Sequence, residues 1–324
     1  MTLSEFESKL NHWGQTQTPF LFLIDYEMER PCAWTIHEIP DSILVSINDF
    51  SNTHLNENKI FSDTINLSPQ AISYDAYTRK FDYINKRILH GDSYLVNLTI
   101  KTPVELNCSL EEIFYRVKAK HKLFWKDQFL VFSPETFVQI KEGKIFTFPM
   151  KGTTDAAQPD AEKMLLNDGK EFSEHVTIVD LLRNDLSLVS SHVEVKRFRY
   201  VEKIITNHNS LLQVSSEIVG TLPDNYLSRL GSILISLLPA GSISGAPKKE
   251  TIEIIKETEQ EKRGYYTGVF GYFDGATLDS AVMIRFIEQQ GNRYYYRSGG
   301  GITAQSDIAK EYQEVQEKIY VPVY

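Results

Sequence analysis

The chain has 324 residues, of which 42% are hydrophobic and 24% charged, and its formal net charge at pH 7 is −9. This balance is typical of a globular protein, and the negative charge argues against nucleic acid or an anionic membrane as the main partner. No apolar run approaches the length of a membrane span, and the two cysteines fit neither a disulfide framework nor a metal motif, so we expect a cytoplasmic protein.

The first half of the chain predicts strands interrupted by two helices. The apolar stretches in 19–50 indicate strands, and the polar segment 52–68 indicates a surface loop. A helix is predicted from Ser68 and Pro69 to about Leu89, with Gly91 just past its end. The remaining predicted elements are a strand at 94–100, a helix at 109–120 capped by Ser109, and strands at 129–133 and 137–148.

The second half predicts one long helix, paired strands and two glycine-rich loops. The strands come in hairpins and the helices in separate insertions, which favours a mainly antiparallel α+β fold over a βαβ repeat. No repeat or linker divides the chain, so a single domain over 1–324 is predicted. The predicted elements are a helix at 160–188, strands near 193–200 and 211–222, a helix from Asp224 to about Leu238, a loop at 239–250 before a further helix, strands at 265–273, 279–289 and 293–298, a loop at 299–302 and a helix from Asp307.

Lys151 stands in the stretch FPMKGT, between Pro149 and Gly152. The proline fixes the backbone before it, and the glycine allows a ligand to approach closely after it. Burial or a neighbouring cation lowers the pKa of a lysine, and the neutral amine is then a nucleophile or a base. The alternative is a solvated lysine at the end of a strand.

Carboxylates occur at three places that suit chemistry. Glu135 follows a predicted strand, where it could act as a general acid or base. Glu174 lies in the predicted helix 160–188, and Glu311 and Glu314 share one face of the last helix. Mg²⁺ binds a few carboxylates together with water and substrate oxygens. Each glutamate could also simply be solvated.

Two glycine-rich segments and one arginine suit an anionic ligand. Free backbone N–H groups in the segments 241–249 and 298–302 could cradle an anion, although tight turns would explain the glycines too. Arg285 lies within the apolar stretch AVMIRFI, where a buried guanidinium requires a partner. That partner is either a ligand carboxylate or a carboxylate of the fold.

In order along the chain, these motifs resemble the chorismate-utilising enzymes, with a fold like that of anthranilate synthase component I. The matching stretches are GDSYLVNLT, SPETF, FPMKGT, IVDLLRNDL, LPAGSISGAPK, RGYYTGVFGYF, DSAVMIRF, SGGGI and SDIAKEYQEVQEK, with about 71–324 as the catalytic region and about 1–70 as a shortened N-terminal part. Within the family the chain is most similar to the aminodeoxychorismate synthases. The resemblance implies that chorismate and ammonia are converted to 4-amino-4-deoxychorismate for 4-aminobenzoate and folate synthesis.

The resemblance also implies roles for individual residues. Lys151 would form a covalent bond to the substrate ring, which requires a lowered pKa, and Glu135 would be the general acid and base. Mg²⁺ would be held by Glu174 and Glu314, with Glu311 close by. The residues implied to bind substrate are Gly152, Thr153, Gln213, Ser242, Tyr266, Arg285, Gly299, Gly300 and Gly301.

Two features set limits on that resemblance. Gln213 stands where many members of the family carry a histidine, which argues against elimination of pyruvate by this chain. No glutaminase motif surrounds Cys32 or Cys108, so a glutamine amidotransferase subunit is expected to supply the ammonia. The alternatives are an anthranilate or isochorismate synthase, or a non-catalytic chorismate-binding subunit.

Overall fold

The computed structural model describes residues 1–53, 64–205 and 210–322. Side chains cap several of its helices, since Thr2, Ser73, Ser109, Asp168 and Asp307 each accept a hydrogen bond from a backbone N–H of the first turn. The helices are α1 (Leu3–Gln15), α2 (Tyr74–His90), α3 (Leu110–Arg116), α4 (Ala161–Asn167), α5 (Gly169–Ser187), α6 (Leu230–Leu237), α7 (Lys248–Glu259) and α8 (Ile308–Glu317), with short 3-10 helices at Ile36–Glu38, Tyr226–Arg229 and Gly241–Ile243.

The strands form two antiparallel sheets. In chain order they are β1 (Phe20–Ile24), β2 (Cys32–Thr35), β3 (Ile43–Ile47), β4 (Phe50–Ser51), β5 (Leu67–Pro69), β6 (Leu95–Leu106), β7 (His121–Trp125), β8 (Phe129–Ser133), β9 (Thr136–Lys141), β10 (Lys144–Thr147), β11 (Met150–Asp155), β12 (Ser191–Ile205), β13 (Ser210–Thr221), β14 (Gly245–Ala246), β15 (Val269–Phe273), β16 (Leu278–Val282), β17 (Phe286–Gln290) and β18 (Arg293–Ile302). The first sheet has the order β11-β13-β10-β9-β16-β15-β1-β2, with β12 beside β13. The second has the order β14-β6-β18-β17-β8-β7-β3-β4, with β5 beside β6.

The two sheets pack face to face, and helices cover their outer faces. Strand β1 shows this arrangement, because every residue in it is buried. Its Leu21 and Leu23 join Val45 and Val131 of the second sheet in one apolar cluster. Its Phe20 and Phe22 join residues of α1, α5 and α6 in another. The predicted α+β fold with a mainly antiparallel, sandwich-like core is therefore confirmed.

Most predicted elements are present, with several corrections to their bounds. The helix predicted from Ser68 begins at Tyr74, because Ser73 caps it, and 67–69 form a short strand instead. The helix at 160–188 is two helices, because Asp168 has extended backbone angles and caps α5. Helix α1 was not predicted, and the helix expected from Asp224 starts as a 3-10 turn. The predicted loop 52–68 lies largely outside the described residues.

The stretch Tyr226–Ile243 is apolar enough to be compared with a membrane span. Its α-helical part, α6, has only eight residues, and five of these are buried in the core of the protein. A helix of that length rises about 12 Å, whereas the hydrocarbon core of a bilayer is about 30 Å thick. We read α6 as a core helix.

Candidate active site

A cavity of about 680 Å³ is lined by residues of both sheets and of helices α5 and α8. Its volume is within the range of sites for small organic ligands. Its walls come from α5, α8, β11 and β18, and from the loops that connect the two sheets. Nearly all of the sequence-predicted site residues line it, namely Glu135, Lys151, Gly152, Glu174, Gln213, Ser242, Tyr266, Arg285, Gly299, Gly300, Gly301 and Glu314.

Two of these residues lie where the chain crosses between the sheets. Glu135 joins β8 of the second sheet to β9 of the first, and Arg285 joins β16 of the first to β17 of the second. The two crossings are hydrogen bonded, since Val282 N donates to Glu135 O at 3.1 Å and Phe132 N donates to Arg285 O at 3.1 Å. The strand predicted over 279–289 is therefore broken, and Arg285 has a left-handed φ of 56° at the break.

Glu135 faces the cavity next to Ser242. The Ser242 hydroxyl donates a short hydrogen bond to Glu135 Oε1. Burial raises the pKa of the Glu135 carboxyl above its usual range, although Ser242 and the positive charges of Arg285 and Lys151 act in the opposite direction. A carboxyl group with a raised pKa can hold a proton near neutral pH and release it to a substrate.

Lys151 points its amine into the same cavity from β11. Its Nζ donates to Glu174 Oε2 at 2.9 Å, and a Cβ at Gly301 would lie 3.9 Å from that Nζ. Burial lowers the pKa of this amine, but the nearby carboxylates of Glu174, Glu314 and Glu171 outweigh burial and raise it. The prediction that the pKa of Lys151 is lowered is therefore wrong for the chain without a ligand. The Lys151 ammonium group already has anionic partners, which stabilise its charged form.

Three glutamates from two helices act on that amine, namely Glu171 and Glu174 of α5 and Glu314 of α8. Glu311, also on α8, is not among the residues that line the large cavity, and its Oε1 accepts a hydrogen bond from the Ser306 hydroxyl at 2.7 Å. A Cβ at Gly300 would lie 3.4 Å from Glu314 Oε1 and 3.5 Å from Glu311 Oε2, so the glycine lets strand β18 lie close to these carboxylates of α8.

Pairs of carboxylate oxygens facing one cavity fit Mg²⁺, which takes one or two carboxylates and completes its shell with water and substrate. Among the described residues, no three acidic, histidine or cysteine side chains are grouped closely enough to hold a metal ion, so Glu174, Glu311 and Glu314 do not form a three-ligand site.

The glycine segment 299–301 is part of a strand, not the loop that was expected. Strand β18 pairs with β17 only over 293–297, whereas its pairing with β6 continues to Ile302. Residues 298–302 therefore have one edge open to the cavity, and glycines at this edge let a ligand reach the backbone. Lys318 donates to Gly299 O at 2.8 Å and closes the end of this edge.

Two arginines line the cavity, and their partners differ. Arg297 is almost fully buried and forms ion pairs with Glu288 at 3.1 Å and Glu261 at 3.2 Å. Arg285 donates to the Tyr320 hydroxyl at 3.4 Å and, within the described residues, forms no ion pair with a carboxylate. Because its charge is not neutralised by the fold, Arg285 is the better candidate for a ligand carboxylate.

Comparison with known proteins identifies the family of the chain. The profile of the chorismate binding enzymes matches residues 8–323. The chain belongs to the chorismate binding enzyme family. A "PabA-like protein" of Pasteurella multocida is 48% identical over the whole of both chains. Aminodeoxychorismate synthase component 1 of Bacillus subtilis is 32% identical over 76% of this chain and 54% of its own length. The structure of anthranilate synthase component I from Streptococcus pneumoniae covers 82% of this chain and 61% of its own, with 28% identity and a TM-score of 0.67.

A chorismate-utilising enzyme must hold two carboxylate groups on a small ring, and the cavity has cations for both. Lys151, Arg285 and Lys318 all line it. The Arg297 guanidinium lies 6.0 Å from the centre of the Tyr266 ring, and burial raises the pKa of the Tyr266 phenol to about 12, so the hydroxyl stays protonated and can donate a hydrogen bond. Gln213 lies across from Thr153 in the β11–β13 pair, and the Thr153 side chain lies outside the described part of the structure.

Sequence reasoning missed four charged residues of the cavity, namely Glu171, Arg297, Glu317 and Lys318. Glu171 lies one helical turn before Glu174, and its Oε2 would be 3.2 Å from a Cβ at Gly152. Lys318 lies one turn after Glu314, and the two form an ion pair at 2.6 Å. In both cases the signal was the spacing of three or four residues from a predicted site residue on a helix.

Proposed function

We propose that this protein converts chorismate and ammonia to 4-amino-4-deoxychorismate. The observation that supports this reaction most directly is the Lys151 amine inside the cavity, opposite the acidic residue Glu135. An amine in this position can bond to a ring carbon of the substrate, which would make it the nucleophile of the first step.

The proposed reaction has two displacements, each with an allylic shift. The neutral Lys151 amine attacks ring carbon C2, and the C4 hydroxyl leaves as water with the proton of Glu135. Ammonia then adds at C4, and the bond between C2 and the Lys151 nitrogen breaks, which releases the free amine. The sum is chorismate plus ammonia giving 4-amino-4-deoxychorismate plus water.

Binding of the dianionic substrate is assigned to cavity residues around Lys151 and Glu135. Arg285 and Tyr266 would hold the enolpyruvyl carboxylate, together with the open edge of 299–301 and the adjacent Gly152, Thr153 and Ser242. Glu174 and Glu314 would hold a Mg²⁺ ion, with Glu311 nearby. When bound, the ion would supply positive charge that attracts the ring carboxylate and offsets the glutamates around Lys151.

Two further expectations remain part of the proposal. Gln213 cannot shuttle a proton near neutral pH, so the enolpyruvyl group is expected to stay on the product and a separate lyase to remove it. Cys32 and Cys108 are free thiols that do not line the cavity, so a glutamine amidotransferase subunit in the cytoplasm is expected to supply ammonia.

The test is to identify the product. The purified chain is incubated with chorismate, Mg²⁺ and an ammonium salt, and the product is analysed by mass spectrometry with and without an added aminodeoxychorismate lyase. Lys151→Ala is expected to abolish amination at C4, and Lys249→Ala, a change of an exposed lysine, is the matched control. Anthranilate or isochorismate as the main product would refute the proposal and favour those synthases. Chorismate binding without turnover would favour a binding subunit.

A further inference from the structure

A second cavity of about 20 Å³ lies directly behind Glu135. Glu135, Pro149 and Ser242 line both this small cavity and the large one, so they form the wall between the two. The remaining walls come from β9, β10, α5 and the end of α6. The small cavity therefore adjoins the candidate active site on the side of the acidic residue.

The size of the small cavity suits one molecule with a single heavy atom. A cavity needs about 10–15 Å³ to hold a water molecule, and such a molecule also needs two to four polar partners. Ammonia is a molecule of this size. Larger amines have further heavy atoms, for which 20 Å³ leaves no space.

Several side-chain oxygens around the small cavity can accept a hydrogen bond. The Thr147 hydroxyl donates to Phe137 O at 3.0 Å, which leaves its oxygen lone pairs for a donor. Asp185 is neutralised by Lys248 at 2.8 Å. Glu135 forms no ion pair with a lysine or arginine among the described residues, so its carboxyl group is the one that can accept a proton here.

We propose that the small cavity is the ammonia site of this enzyme, where the nitrogen is held beside Glu135 until it adds to the substrate ring. The inference rests on the proposed function, since it concerns the second displacement of that reaction. The apolar part of the wall, which includes Ala240 and Leu182, keeps larger nucleophiles away from the position behind Glu135.

The protons of the two displacements balance through Glu135. In the first, Glu135 gives its proton to the leaving C4 hydroxyl and becomes a carboxylate. An ammonium ion in the small cavity then gives one proton to this carboxylate and becomes ammonia, which bonds to C4 while Lys151 departs. Glu135 is protonated again and Lys151 is again a free amine, so chorismate and NH₄⁺ yield the protonated product amine and water.

The first test fills the cavity. Ala240 is buried and lines it, so Ala240→Val places two further methyl groups there. We expect the KM for ammonium to rise at least tenfold, while the Lys151 adduct still forms from chorismate without ammonia. The matched control is Ala33→Val, which makes the same change at a buried alanine of β2, and its KM for ammonium should stay that of the wild type. An unchanged KM in a folded Ala240→Val variant overturns the inference.

The second test enlarges the cavity and does not depend on the first variant folding. Ala240 has an ordinary φ of −57°, so Ala240→Gly introduces no backbone conflict. We expect the wild type to favour ammonium over methylamine, and the glycine variant to reduce this preference at least fivefold. A wild type that uses both amines equally well, or a variant with unchanged preference, contradicts the inference. Absence of any wild-type adduct would instead refute the covalent mechanism, so the two failures are distinguishable.

Discussion

A buried ion pair between Glu259 and Arg263 supports two segments that line the candidate active site. The two side chains are only 2% and 1% exposed and are joined by two hydrogen bonds, at 2.7 and 2.9 Å. The guanidinium also donates to Ile243 O at 2.8 Å and to Asn97 O at 2.7 Å. Both of these residues line the large cavity, so the pair fixes the loop that carries Ser242 against strand β6.

Replacing Arg263 alone should destabilise the protein more than replacing Arg263 and Glu259 together. Arg263→Met leaves a buried carboxylate without its cation, and breaking a buried pair in this way costs about 3–5 kcal/mol. Glu259 also accepts hydrogen bonds from Thr99 N and Thr99 Oγ1, and a glutamine oxygen can still accept them. We therefore expect Arg263→Met with Glu259→Gln to be more stable than Arg263→Met alone, by at least about 1 kcal/mol.

The assay is a double-mutant cycle measured by urea unfolding. The wild type, Arg263→Met, Glu259→Gln and the double variant are unfolded at one pH and ionic strength, and their free energies of unfolding are compared. We expect the double variant to lose much less stability than the sum of the losses of the two single variants. If the losses of the two single variants simply add in the double variant, the two charges are not energetically linked and the reasoning is refuted.

Three further predictions concern the cavity. Glu135→Gln should lower kcat by about 10²-fold or more, because the glutamine cannot exchange a proton. The Kd for chorismate, measured by calorimetry, should change by no more than a few-fold. An unchanged kcat would contradict the assigned role of Glu135. Glu174→Gln should raise the Mg²⁺ concentration needed for half-maximal turnover by at least tenfold, and an unchanged titration would remove Glu174 from the metal site. Gly152→Ala should destabilise the protein by about 1–2 kcal/mol, because φ is +75° at this position. Its Cβ would also lie 3.0 Å from Leu165 Cδ1, and a wild-type urea midpoint would show that strand β11 adjusts at this position.

The fold class and most elements could be predicted from local sequence signals. Gly91 and Ser109 mark helix ends as expected, and the turn at Glu142 and Gly143 joins β9 to β10. These signals are local, since they depend on caps, turns and alternating burial within a few residues.

The errors arose where long-range pairing overrides local pattern. The stretch around Arg285 reads as one apolar strand, but its two halves pair with different sheets, so the chain must bend between them. Residues 299–301 read as a loop because glycine is rare in strands, yet they pair with β6 along their full length. Partners distant in the sequence decided both cases.

For the site, the sequence predicted which residues line the cavity more accurately than it predicted their pKa values. The motifs led to a group of side chains that the fold does bring to one cavity. The pKa of Lys151 was predicted in the wrong direction, because burial was considered without the carboxylates that face the amine from α5 and α8. The size and position of the small cavity behind Glu135 depend on packing between four elements, which no local pattern records.

The measurement that tests the central claim most directly is intact-protein mass spectrometry without ammonia. The wild type is mixed with chorismate and Mg²⁺, and the protein is then digested to map any added mass. The account predicts an adduct of chorismate less one water on the peptide that contains Lys151, and its disappearance when ammonium is added. A Lys151→Ala variant that forms 4-amino-4-deoxychorismate as fast as the wild type would contradict the account. An adduct on a residue other than Lys151 would also contradict it.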